Sequence, residues 1–223
     1  MTDRIPKPFV SAHRAGNSRE ALLRAIDAGA DLIETDIWLH NGRLELRHKR
    51  TLGPIPILWE RWAIEPGWKP RYLLRDLLRD VPDEVIIFLD FKGNEMGLGP
   101  AVLQELQQFA PDRIIATCGR NYPQLQVIDD APSIITFYSV GEEEEWPIAQ
   151  RLIAASTTPA LSILASLATQ DKIDWVTELG GRVVCWGVHS TSEMERLAAM
   201  GVDGFTTDSD ELIKAIRQQR GDA

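Results

Sequence analysis

His13-Arg14, Glu34-Thr35-Asp36 and His48 all fall within the first fifty residues of this 223-residue chain. An i, i+2 pair of carboxylates on a strand points to one face. Two acids held side by side repel each other, and burying them without compensation is expensive. A divalent cation between them removes both problems. Histidines flanking such a pair carry protons near neutral pH. The N-terminal quarter therefore reads as a metal-assisted acid/base site.

Positioning these residues takes a rigid frame, and the pattern of the chain supplies one. Short β-branched runs at 9–12, 31–37, 85–91, 113–117, 134–138, 161–164, 182–186 and 203–207 read as strands. Helical patterns fill 18–28, 71–79, 99–109, 121–130, 143–155, 170–179, 191–200 and 209–218. Ser18 is a suitable helix cap, and Gly29, Gly180-Gly181 and Gly201 sit where a helix stops and a strand begins. Asn41-Gly42 marks a hairpin turn leading into Leu44-Glu45-Leu46-Arg47-His48. Eight strand–helix units in this length predict an α/β fold, a compact (β/α)8 TIM barrel, with 1–223 as a single domain. A doubly wound open sheet is the alternative, but no glycine-rich phosphate loop follows the first strand.

Barrel active sites gather at the C-terminal ends of the strands. His13 ends the first strand, Glu34 and Asp36 lie late in the second, and Asp90 ends the third with Lys92 in the same parity. His48 returns on the hairpin arm. Three carboxylates without a cysteine favour Mg²⁺ or Ca²⁺ over Zn²⁺. The structural alternative makes Glu34 and Asp36 salt-bridge partners of Arg14 and Lys92. It would bury several charges at one barrel mouth without a task. Residues 49–70 carry Pro54, Pro56, Pro66 and Pro70 with Trp59, Trp62 and Trp68. That is too proline-rich for a long regular element, and it reads either as an aromatic lid loop or as rim packing or a dimer contact. His40 and His189 read as structural or solvent-exposed, Trp186 as barrel filling or pocket wall, and Arg120 and Tyr138 either as substrate contacts after the fourth and fifth strands or as rim surface. Glu142–Glu145 opens a helix, where acids suit the dipole, and Asp208 and Asp210 read as caps of the last one.

Composition narrows the partners. The chain is 44% hydrophobic and 26% charged, with a formal net charge of −9. An acidic surface argues against nucleic acid or an anionic membrane as the main partner and leaves room for a local basic pocket that takes one phosphate. The N-terminal stretch Met1–Pro8 has no apolar core of the kind a signal peptide carries. No apolar run is long enough to span a bilayer. Cys118 and Cys185, each inside an apolar run, read as buried reduced thiols of a cytoplasmic protein.

Several blocks are similar to the glycerophosphodiester phosphodiesterase family. They are Ala12-His13-Arg14, Gly29 through Asp36, Leu46 through Leu52, Phe88-Leu89-Asp90-Phe91-Lys92, Val184-Cys185-Trp186 and Gly201 through Asp208. The resemblance runs in order from about residue 9 to 214. It implies a TIM barrel that hydrolyses glycerophosphodiesters to glycerol 3-phosphate and an alcohol with the help of one divalent cation, Mg²⁺ or Ca²⁺, with Mn²⁺ as a further option. It makes Glu34, Asp36 and Asp90 metal ligands and His13 and His48 the general acid and base. Arg14 and Lys92 would hold phosphate oxygens, and Trp186 would line the substrate pocket. The attacking oxygen is either water or a neighbouring hydroxyl of the substrate, which tracing of ¹⁸O from solvent separates.

The chain departs from the family in four places. Asn17-Ser18-Arg19-Glu20 shortens the usual Pro-Glu-Asn-Thr segment, Lys49 stands for an aspartate and Asp90 for a glutamate. The Trp/Pro-rich loop replaces the small inserted subdomain. Asp90 also resembles the related sphingomyelinase D enzymes, which brings in cleavage of lysophospholipid or sphingolipid headgroups as a second reading. A non-catalytic barrel that binds a phosphorylated ligand is the third.

Overall fold

The computed structural model describes residues 5–221 except 53, 54 and 61. Met1–Arg4 of the expected leaderless N-terminus, and Pro54 of the proline-rich stretch, lie outside the described residues. In chain order the elements are β1 (Phe9–Ala12), α1 (Arg19–Ala28), β2 (Leu32–His40), β3 (Arg43–Leu46), β4 (Arg50–Leu52), β5 (Ile55–Glu60), β6 (Ala63–Pro66) and β7 (Tyr72–Leu73). There follow α2 (Leu74–Asp80), β8 (Ile86–Phe91), α3 (Leu98–Phe109), β9 (Ile115–Gly119), α4 (Tyr122–Gln126), β10 (Ile134–Val140) and α5 (Trp146–Ala155). The chain finishes with β11 (Ala160–Leu164), α6 (Gln170–Glu178), β12 (Arg182–Trp186), α7 (Thr191–Ala199), β13 (Gly204–Thr207) and α8 (Asp210–Arg220).

The parallel strands run β1, β2, β8, β9, β10, β11, β12, β13, and β1 pairs with both β2 and β13. The sheet is therefore a closed eight-stranded parallel barrel with helices around it, as the alternation of patterns predicts. Closure removes every edge from the parallel sheet.

Local chemistry accounts for much of this frame. Ser18 accepts a hydrogen bond from the Ala21 N–H at the start of α1. Gly29 ends the helix at φ 88°, with its N–H bonded back to Ala25 and Ile26. That left-handed conformation is open to glycine at no steric cost. The aspartates after two such turns then stitch neighbouring strands. Asp31 accepts from the Val10 N–H, and Asp203 from the Val183 N–H, each at 2.8 Å. Arg220 at the end of α8 clamps Asp31 at 2.8 and 2.9 Å and the Pro8 carbonyl at 2.9 Å.

Strand alternation divides the apolar residues. Phe9, Leu32, Ile86, Phe88, Ala116, Phe137 and Val184 form one buried cluster inside the barrel. Ile33, Ile87, Leu89, Ile163 and Val183 belong to a second, which joins the outer faces of the strands to the helices. Phe88 meets Phe137 edge to face at 5.3 Å between ring centres, a favourable arrangement for aromatic pairs. At the floor, a Cβ on Gly204 would lie 2.2 Å from the ring of Phe9. Overpacking a rigid barrel floor leaves that ring nowhere to go. Gly204→Ala should cost about 2–3 kcal/mol and lower Tm by roughly 5–10 °C in a thermal melt. A change under about 2 °C would show that the floor can yield.

Residues 49–70 differ from expectation. Instead of an irregular loop they contain β4, β5 and β6, which form a three-stranded antiparallel sheet. The prolines are tolerated for identifiable reasons. Pro66 is the last residue of an edge strand. Pro56 falls where the β4–β5 register shifts, from Thr51↔Leu58 to Leu52↔Ile55. The hairpin before the insert matches its signal: Asn41 and Gly42 adopt φ 49° and 72°, and β3 returns antiparallel to β2. Element boundaries moved elsewhere too. The fourth helix covers only Tyr122–Gln126, and the second begins at Leu74, after the short strand β7.

Candidate active site

Strand register builds the acidic centre. Asp36 on β2 is the direct partner of Asp90 on β8, and Glu34 lies two residues below Asp36 on the same inward face. One carboxylate oxygen from each of the three acids lies within 4.8 Å of the others. Glu34 is 3% exposed and Asp36 2%. The sharp turn after β1 delivers backbone to this centre. Arg14 adopts φ 55°, a left-handed conformation uncommon for a residue with a side chain. Its N–H donates to Glu34 Oε2 at 2.5 Å.

Asn17, which composition and spacing did not single out, fixes Asp36. Its Nδ2 donates to Asp36 Oδ2 at 2.8 Å. Its Oδ1 accepts from the Asp36 N–H at 3.0 Å and from Thr35 Oγ1 at 2.7 Å. The turn between Arg14 and Asn17 packs tightly enough that a Cβ on Gly16 would lie 2.6 Å from Thr35 Cβ. The shortened segment is thus a close-packed 3-10 turn over Ala15–Asn17, followed by the Ser18 cap.

Both histidines stand beside this centre with a carboxylate at Nδ1. His13 Nδ1 lies 2.8 Å from Asp208 Oδ1. His48 Nδ1 lies 2.7 Å from Glu60 Oε1, off the line of a ring N–H hydrogen bond. His48 Nε2 accepts from the Arg14 guanidinium at 2.5 Å, so that ring carries its proton on Nδ1. A carboxylate at Nδ1 orients an imidazole. Asp208 therefore has a different place from the expected helix cap. Ser209 caps α8 through the Leu212 N–H, which leaves Asp208 free to face His13. Glu60 arrives from β5, so the insert supplies part of the site.

Charge at the centre is unbalanced. Lys92 contacts Asp90 and lies 3.1 Å from Asp36. Burial works to lower its pKa, but the two aspartates outweigh burial and raise it. Burial pushes Glu34 well above the usual carboxylate range, and the nearby Asp36 and Asp90 push in the same direction. Burial also raises Asp90 despite Lys92. Three acids share Lys92 and the Arg14 guanidinium, whose Nε lies 4.0 Å from Asp36, and this excess of acids in a buried pocket suits a hard divalent cation.

All eight residues singled out from sequence border one cavity of about 640 Å³: His13, Arg14, Glu34, Asp36, His48, Asp90, Lys92 and Trp186. His189 is solvent-exposed, one of the two expected readings, and it also borders the cavity. Arg120 reaches the rim, where Glu142 and Glu145 hold it at 2.6 Å each. Tyr138 does not reach the cavity. It is buried against the helical layer and donates to Asp129 at 3.1 Å. Cys118 and Cys185 are buried free thiols, and Cys118 lies in the cavity wall with its pKa raised by burial.

Lys49 turns away from its neighbour His48 and pairs with Glu65 on β6, which also takes Arg71 at 2.5 Å. The bonds from Lys49 and Arg71 hold Glu65 at about 2. A carboxyl lowered from 4.5 to about 2 on folding stabilises the insert above pH 4.5, and that stability is lost as pH falls through 2. Solvent reaches the pair, so its worth is on the order of 1 kcal/mol. Glu65→Gln should therefore loosen the insert at pH 7, seen as a change in tryptophan fluorescence. It should also flatten the acid transition seen in the native chain. Identical fluorescence–pH curves for the two would remove Glu65 from this role.

The family model for the glycerophosphoryl diester phosphodiesterases matches residues 94–212. That span includes Trp186 and begins just after Lys92. A glycerophosphodiester phosphodiesterase from Caldanaerobacter subterraneus subsp. tengcongensis is 26% identical over 247 residues, spanning 95% of this chain and 99% of the relative. Among solved structures, a candidate glycerophosphoryl diester phosphodiesterase from Silicibacter pomeroyi DSS-3 superimposes with a TM-score of 0.77 at 16% identity, covering 97% of this chain and 95% of the other. A phosphodiesterase from Oleispira antarctica, solved with the product sn-glycerol-3-phosphate, gives 0.74 at 17% identity, covering 94% and 97%. At these identities the structural likeness speaks to the barrel. The family model, which spans more than half of the sequence, speaks to descent: the chain belongs to the glycerophosphoryl diester phosphodiesterase family of enzymes.

Proposed function

We propose that this chain hydrolyses water-soluble glycerophosphodiesters to glycerol 3-phosphate and an alcohol. The observation that carries the reading is the convergence of His13, His48 and the Glu34–Asp36–Asp90 triad on one cavity, beside the cationic Arg14 and Lys92. Glu34, Asp36 and Asp90 are the residues that would hold one divalent cation, Mg²⁺ or Ca²⁺, with Mn²⁺ also compatible with an all-oxygen donor set. Such a cation, when bound, draws negative charge from the phosphoryl oxygens.

The chain supplies the other steps. Arg14 and Lys92 bind the non-bridging oxygens and stabilise the charge that grows on them. One histidine takes a proton from the attacking oxygen and the other returns one to the leaving alkoxide. Asp208 and Glu60 orient the two rings. Trp186 borders the cavity from β12 and would pack on the glycerol or the alcohol. Residues 1–223 are read as one domain, because β1 closes on β13 and Arg220 reaches back to Asp31 and Pro8. Among the described residues no helix is long and apolar enough to cross a membrane. The two buried thiols support a reducing, cytoplasmic setting.

A diester panel with and without Mg²⁺, Ca²⁺ or Mn²⁺ tests the activity. Turnover of glycerophosphocholine that requires a divalent cation is the expected result. Strict preference for a lysophospholipid would move the substrate to lipid headgroups. Stoichiometric metal binding without hydrolysis of any diester would make the barrel a binding protein. Asn17→Ala should weaken Mn²⁺ binding about tenfold in calorimetry, because its two bonds to Asp36 and one to Thr35 are lost. Unchanged affinity would show that Asp36 needs no such support.

A further inference from the structure

The insert over β4–β6 carries an apolar face that the site does not use. Trp62 is 98% exposed, Ile64 and Trp68 are 75% exposed, and Trp59 is 38% exposed. The other four tryptophans, at 38, 146, 175 and 186, are at least partly buried. Register explains how the sheet comes to have two unlike faces. Trp59 pairs with Arg50 on one side and with Ile64 on the other, so all three share a face. The alternating residues turn to the barrel: Leu58 is buried, Glu60 meets His48, and Glu65 meets Lys49 and Arg71.

Charge on this segment runs against the rest of the molecule. Residues 49–71 hold Lys49, Arg50, Arg61, Lys69 and Arg71 against only Glu60 and Glu65, in a chain of net charge −9. Both acids face inward to partners, whereas Arg50 and Lys69 are exposed. Arg50 also borders the cavity, so the apolar face continues to the cavity mouth.

We propose that the outer face of the β4–β6 sheet docks on a phospholipid bilayer with anionic headgroups and sets the cavity mouth beside that surface. Tryptophan rings favour the boundary between headgroups and acyl chains, and basic side chains beside them favour anionic lipid. Such a patch in water is otherwise a liability for solubility. The proposal stands apart from the hydrolytic reading, because docking is measured without turnover.

The test is co-sedimentation of the full chain with vesicles of phosphatidylcholine and phosphatidylglycerol, and with vesicles of phosphatidylcholine alone. Binding to the anionic vesicles is expected, with weaker binding to the neutral ones. Trp62→Ala combined with Trp68→Ala should weaken it by about tenfold or more, and Lys69→Glu by a smaller factor. Because these side chains are exposed, Tm should stay within about 2 °C. No vesicle binding, or equal binding by the double variant, would overturn the proposal. So would self-association of the free protein that the double variant abolishes while vesicles are ignored; that result would assign the face to a second copy.

Discussion

His13→Ala and His48→Ala should each lower kcat by about 10²-fold or more while the protein folds as before. Both rings sit on the cavity, and neither is part of the buried core. Each has a carboxylate at Nδ1, so removing that carboxylate should mimic part of the loss. Asp208→Asn and Glu60→Gln should lower kcat and leave KM nearly unchanged, because each carboxylate positions a ring without touching the substrate. The two histidines reach the site by different routes, one from the end of β1 and one from the hairpin, so they lose activity independently in structural terms. Because the two act on the same transition state, one at the attacking oxygen and one at the leaving oxygen, the double variant should be little worse than either single one. A loss of less than about tenfold in either single variant would remove that histidine from the mechanism.

The second large effect is on stability and has the opposite sign from its effect on activity. Glu34→Gln should raise the stability of the metal-free protein by about 1–3 kcal/mol while abolishing metal-dependent turnover. Burial and two neighbouring aspartates hold the Glu34 pKa well above its ordinary value. A group raised in this way favours the folded state at pH below its unfolded value near 4.5, and that contribution is lost as pH rises through the folded value. At neutral pH the metal-free site therefore works against folding, and an amide at this position relieves the repulsion. Thermal melts with and without Ca²⁺ or Mg²⁺ measure both halves. The native chain should gain Tm on adding metal, and the variant should start higher and gain little. A variant that melts lower than the native chain without metal would show that the Arg14 N–H bond to Glu34 outweighs the repulsion.

The sequence was most informative where short-range rules apply. Alternation in 31–37 and 85–91 placed Glu34, Asp36 and Asp90 on inward faces, and the parallel register then had to bring Asp36 opposite Asp90. The glycines at 29, 180 and 201 marked helix ends because a left-handed residue stops a helix wherever it occurs. The insert was misread because proline content argues against a strand only on average. Position at an edge or a register shift decides the case, and position is a property of pairing.

Residue types and spacing by themselves determined the barrel, the strand ends that carry the chemistry, and seven of the residues on the cavity wall, with Trp186 added by the family resemblance. Only the tertiary structure decided which groups hold them. Asn17 on Asp36, Asp208 at His13, Glu60 at His48 and Glu65 on Lys49 are contacts between residues 12 to 195 apart in the chain. A lone asparagine or glutamate carries no periodicity and resembles any surface residue. Its role appears only when barrel closure brings β13 beside β1 and the insert folds down against the hairpin.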